Sequence, residues 1–114
     1  MVDVTKKIAN LLEPLCPVEL SGSEREFKMP CIYIETVSNA PTVTMDNKDF
    51  LTRATYQIDC YAETPQKCVE MAQAVDDIMQ SQGWQRINGV LMGRQRYCLT
   101  YKALITEKYS TYKE

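Results

Sequence analysis

The chain contains no histidine. That absence removes the imidazole general base, and with it the Ser-His-Asp triad and the Cys-His dyad. It also leaves only thiolates and carboxylates as strong metal ligands. The five cysteines are Cys16, Cys31, Cys60, Cys68 and Cys98; the number is odd and no two form a CxxC pair. Structural zinc sites show close paired spacing, so no zinc site is expected, and no cofactor of any kind. The thiols read as small hydrophobes in a reducing compartment. Glycine is scarce. Gly22, Gly83, Gly89 and Gly93 all fit turns, and none belongs to a P-loop or a dinucleotide fingerprint. Positive charge is not in excess: the net charge is -2 and the pI about 5.2, which argues against the basic face of a nucleic-acid-gripping protein. Apolar runs are far too short to span a bilayer. The opening "MVDVTKKIANLLEPL" has no signal-peptide layout, because Asp3 comes early and no apolar core follows the lysines.

What is present reads as one domain over residues 1–114. Hydrophobic residues make up 45% and charged residues 25%, ordinary for a globular protein, so the fold needs no disulfide or metal staple. Residues 3–12 are expected to form an amphipathic helix. Val4, Ile8, Leu11 and Leu12 fall on one face, Asp3 stands near the start, and Pro14 and Pro17 end it. "CPVEL" (16–20) is a candidate short strand, and "SGSEREFKMP" (21–30) a surface loop. "CIYIETV" (31–37) is a strand; the turn-rich stretch 38–49 is expected to be a long loop or a flap of weak strands.

The strongest strand covers 50–62. Phe50, Ala54, Tyr56, Ile58, Cys60 and Ala62 share one face, and Arg53, Thr55, Gln57, Asp59 and Tyr61 the other. Thr64 and Pro65 then open a helix, with Thr64 as its cap and Pro65 at its first position. Cys68, Met71, Ala72, Val75, Ile78 and Met79 form its apolar stripe, and Gly83 stands at its stop. "WQRI", Asn88-Gly89 and "VLM" suggest a small hairpin. A last strand over 94–106 puts Tyr97, Leu99, Tyr101, Ala103 and Ile105 on one face, and a polar extended tail follows from about 107. The order α-β-β-β-α-β-β with short loops predicts an α+β fold: a mostly antiparallel sheet with both helices packed on one face.

No constellation carries evident chemistry, and the chain is not expected to be an enzyme. Asp76 and Asp77 are neighbours on a helix, diverge by about 100°, and read as a solvated face. "DNKD" (46–49) lacks calcium-loop spacing. Arg86, Arg94 and Arg96 read as surface charges, and Trp84 as a core plug. The sheet face turned away from the helices is more suggestive. Alternation places Tyr33, Val37, Tyr61, Cys98 and Leu104 there, among Glu35, Arg53, Asp59, Arg96 and Lys102. Apolar and aromatic anchors among charges of both signs suit a protein–protein contact. Tyr33, Glu35, Val37, Arg53, Asp59, Tyr61, Arg96 and Lys102 are the candidate interface; the stretch 38–49 and the tail from Glu107 are the alternatives.

The segment "RATYQIDCYAETPQKCVEMAQAVDDIMQSQGW" (53–84) resembles the tail-terminator, or tail-completion, proteins of long-tailed bacteriophages. The resemblance lies in an arginine-bearing strand reading Tyr-Gln-Ile-Asp, then Thr-Pro opening a helix with Met-Ala-x-x-Val before a Gly-aromatic stop. The N-terminal helix, "MPCIYIE" and "RYCLTYKALI" follow the family's order of elements, so most of the chain is covered. Its five cysteines and the loop "SGSEREFKMP" depart from many relatives. The resemblance implies a non-enzymatic ring, typically of six subunits, that caps the finished tail tube in the virion after assembly in the host cytoplasm. Such a ring ends tube polymerisation, meets the tail tube protein on one side and a head-closure or neck protein on the other, and lets DNA pass through its lumen unread. A slightly acidic protein suits that passage. No membrane partner is expected. Two alternatives stay open: another neck, head-closure or baseplate subunit, and a small cytosolic ligand-binding or regulatory α+β domain.

Overall fold

The computed structural model describes residues 5–20, 29–45 and 48–106. Its elements are α1 (Thr5–Leu12), β1 (Val18–Leu20), β2 (Cys31–Met45), β3 (Lys48–Tyr61), α2 (Pro65–Ser81), β4 (Gln85–Met92) and β5 (Arg96–Thr106). The five strands form one sheet in the order β1-β2-β3-β5-β4. β1 runs parallel to β2, and every other neighbouring pair is antiparallel. This is the expected α+β class and order of elements. The readings on Asp3, Val4, residues 21–28, Asp46 and Asn47, and the tail from Glu107 lie outside the described residues, as does the side chain of Phe50.

Both helices cover the same face. Ile8, Ala9 and Leu12 of α1 and Ala72, Val75 and Met79 of α2 join one core with Ile32 and Ile34 of β2, Ala54, Tyr56, Ile58 and Cys60 of β3, and Leu99, Tyr101 and Ile105 of β5. The core forms because alternation in three adjacent strands turns one apolar row each toward two apolar helix stripes. Trp84 is 5% exposed and meets Tyr56 edge-to-face at 5.5 Å, so it is the plug its position suggested. α1 packs over β1 and β2, and α2 over β3, β4 and β5.

The start of α2 is written locally. Thr64 has extended backbone (φ -125°, ψ 152°), its side chain accepts from the Lys67 N–H at 3.2 Å, and Pro65 opens the helix. After Ser81 the chain leaves through Gly83, whose φ of 91° lies in the left-handed region that glycine enters without strain.

One strand assignment from the sequence is corrected, and another is extended. Asn88-Gly89 is not a hairpin turn. Gln85–Met92 is one continuous strand, and the reversal falls at residues 93–95, where Gly93 has φ 72°. The Asn-Gly pair instead follows an irregularity between Arg86 and Asn88. Gly89 sits opposite Leu99, where an added Cβ would come within 3.2 Å of the leucine side chain, so close packing explains the glycine. The strand expected over 31–37 runs on: through most of its length the stretch 38–49 takes the second of its two expected forms, paired strand rather than long loop. β2 continues to Met45 and pairs with β3, with register shifts at Thr36/Ser38 and on both sides of Val43. Those shifts let a strand containing Pro41 stay on its partner despite a sequence that does not alternate.

Candidate interface on the outer sheet face

The face opposite the helices is built from rows set by strand register. One row runs Tyr33, Asp59, Cys98, Val90 across β2, β3, β5 and β4. The next runs Cys31, Tyr61, Arg96, Met92. These rows gather Tyr33, Asp59, Tyr61 and Arg96 into one cluster. Arg96 donates to Asp59 Oδ2 at 3.0 Å, and Gln57 Nε2 lies 3.3 Å from both carboxylate oxygens. The Arg96 guanidinium lies 6.0 Å from the centre of the Tyr61 ring, and Tyr33 meets Tyr61 edge-to-face at 5.7 Å.

Asp59 is only 7% exposed although it stands on the outward row. A carboxylate withdrawn from water needs a cation and donors, and Arg96 and Gln57 supply them. The pairing reinforces the charge on Arg96: the hydrogen bond to Asp59 outweighs desolvation and holds its pKa above the usual value. Burial raises the Tyr61 pKa, with nearby Arg96 working against the shift. The Cys98 thiol is pushed up to about 11 by burial and by its hydrogen bond with Asp59. It is therefore a poor nucleophile at neutral pH.

The other candidate residues stand farther along the sheet. Glu35 is exposed one row on, opposite Gln57. Val37 lies at the β2 irregularity and is 55% exposed. Lys102 faces Thr55, and Arg53 faces Leu104, toward the far end of β3. Both basic residues are exposed. The face thus has a self-paired cluster at one end and separate charges at the other.

Sequence reasoning missed three contributors. Gln57 was placed on this face without a role, yet it holds Asp59. Val90 and Met92 join the face because β4 is continuous; they are 45% and 48% exposed. The signal was Gly93, the glycine that makes the turn.

Two readings of charged residues are also corrected. Asp76 is not simply a solvated residue: it accepts from Tyr101 Oη at 2.7 Å and from Gln80 Nε2 at 2.7 Å, and pairs with Arg86 at 3.4 Å. Its position on the flank of the helix turns it toward the last two strands, while Asp77 remains exposed. Arg86 and Arg96 are correspondingly ion-paired, and Arg86 and Arg94 are both exposed.

Beside the cluster lies an open cleft of about 600 Å³, between the start of α2 and the β4–β5 turn. Tyr61, Thr64, Pro65, Met92, Arg94 and Arg96 are among its walls. Among the described residues no group of three or more acidic, cysteine or histidine side chains is placed to hold a metal ion. No protein-family model matches the chain, and no curated protein matches it significantly.

Proposed function

We propose that this chain is a non-enzymatic structural subunit that assembles with copies of itself into a ring, six subunits by the resemblance above. The ring caps the tail tube of a long-tailed bacteriophage, ends tube growth and offers the surface to which the head is joined. The observation that carries the assembly part is the outer sheet face. It presents an aromatic pair, Tyr33 and Tyr61, beside a carboxylate already neutralised within the chain by Arg96. Such a face can be covered without stranding an unpaired buried charge, a condition a stable interface must meet. Val37, Val90 and Met92 add exposed apolar surface at its margins. The phage role rests on the sequence resemblance over 53–84.

The test is light scattering on the purified chain, followed by addition to polymerising tail tube protein. The reading expects a particle near six times the 13.1 kDa chain mass and tubes that stop growing when it is added. A monomer at tens of micromolar, or tubes of unchanged length, would count against it. A second reading, a small ligand-binding domain, is favoured by the open cleft, whose 600 Å³ falls in the range of small-molecule sites.

A further inference from the structure

The exposed large hydrophobic residues are not scattered. They are Leu15, Val37, Ile87, Val90, Leu91 and Met92. The last four all stand on β4, one edge of the sheet. Leu15 precedes β1, the opposite edge, and Val37 lies on β2 just past the stretch that β1 covers, Ile32 to Ile34. Exposed apolar bulk is therefore confined to the two lateral margins among the described residues.

Charge is divided the same way. Residues 13–20 and 29–45, which hold β1 and β2, contain Glu13, Glu19 and Glu35 and no lysine or arginine. Residues 82–106, which hold β4 and β5, contain Arg86, Arg94, Arg96 and Lys102 and no aspartate or glutamate. The helix layer reverses the pattern. α1, over the acidic strands, carries Lys6 and Lys7 and no acid; α2, over the basic strands, carries Glu70, Asp76 and Asp77 against Lys67. Arg86 and Arg96 spend part of their charge inside the chain, but Arg94, Lys102, Glu13, Glu35, Glu70 and Asp77 are exposed.

We infer that two copies of this chain join side by side, the β4 margin of one against the β1–β2 margin of the next, so that the sheet continues from copy to copy. This rests on the self-assembly part of the proposed function and specifies its contact. The two margins are complementary in sign in both layers, whereas either margin facing its own kind would set like charges together. Strand direction agrees. β1 and β2 run one way and β4 the other, so copies related by rotation about an axis along the strands meet with antiparallel edges. Edge strands are usually guarded by lysine, proline or bulges. β4 holds no lysine or proline, its one arginine is tied to Asp76, and its one irregularity, between Arg86 and Asn88, leaves Asn88 to Met92 in unbroken register with β5. A contact between two different margins is heterologous, and closes into a ring when the rotation allows. The candidate residues then divide: Tyr33, Glu35 and Val37 flank the contact from one copy, Arg96 and Lys102 from the other.

The test uses two double variants, Ile87→Asp with Val90→Asp on β4, which would face the acidic margin, and Glu35→Lys with Val37→Lys on β2, which would face the basic one. All four positions are exposed, and circular dichroism checks the fold. Light scattering should find each variant monomeric alone. A one-to-one mixture should recover the multi-chain particle, because one contact is unaltered and at the other the introduced aspartates meet the introduced lysines. A wild-type ring with variants that still form it, or a mixture that stays monomeric, overturns the edge assignment and leaves ring formation standing. A monomeric wild type overturns both. Hydrogen exchange on wild-type protein provides a check without substitution: β4 amides should exchange at least tenfold more slowly in the assembled protein than on dilution to monomer. Equal rates would overturn the inference.

Discussion

At the scale of residues, two buried side-chain polar atoms lack a hydrogen-bond partner among the described residues, Thr52 Oγ1 and Arg96 Nε; Arg96 is held by Asp59 through Nη2, whereas Thr52 has no such compensation. Thr52 is 0% exposed. Thr52→Val should therefore raise stability by about 1 kcal/mol, since an unsatisfied buried hydroxyl costs free energy that a methyl group does not. Urea denaturation checks it; a destabilised variant would mean that the hydroxyl is satisfied. Tyr101 is the converse case. Its hydroxyl donates to the Asp76 carboxylate at 2.7 Å, so Tyr101→Phe should cost about 1–2 kcal/mol in the same titration.

The thiols give a pH dependence. Burial, with smaller charge effects, pushes Cys16 and Cys98 up to about 11 from an ordinary value of 9.0, and Cys60 higher still. A raised folded-state pKa means that the folded chain holds these protons more tightly than the unfolded one. Their contribution is complete below pH 9 and is lost as pH rises toward 11. The denaturation midpoint should fall across that window, and a Cys16→Ala, Cys98→Ala variant should show a shallower fall. An unchanged slope would place the loss on other groups.

At the scale of elements, legibility followed the local signals. β3 and α2 could be read nearly residue by residue, because strict alternation and a Thr-Pro start are decided within a few neighbours. Thr64→Ala should cost about 1 kcal/mol by leaving a first-turn N–H without its acceptor; an unaffected midpoint would contradict the capping role. β4 was misread because Asn-Gly is a strong hairpin signal and the strand around it does not alternate. What overrides the local preference is long-range: β5 supplies a ladder from Gln85 to Met92, and Leu99 crowds the position of Gly89. The second half of β2 was obscured in the same way, since its pairing to β3 survives register shifts that break the pattern. In the candidate interface, the facing of each residue could be read from alternation, but the partnerships could not. That Asp59 binds Arg96, 37 positions away, depends on the register of β3 with β5.

At the scale of the whole molecule, both helices pack on one face of the sheet, and among the described residues the large exposed apolar side chains lie toward its two margins. Apolar and charged surface among the described residues is sorted by margin, as the proposed side-by-side assembly requires. The account's central claim is that copies of the chain associate through the sheet. The most direct measurement is multi-angle light scattering, run side by side on the wild type and on Ile87→Asp with Val90→Asp, two exposed positions on the β4 margin, with circular dichroism confirming that both are folded. The account predicts a wild-type particle of several chain masses and a folded variant that is monomeric, because added like charges at each contact would be buried unpaired. A wild type at 13.1 kDa, or a variant with the same multiple mass as the wild type, would contradict it.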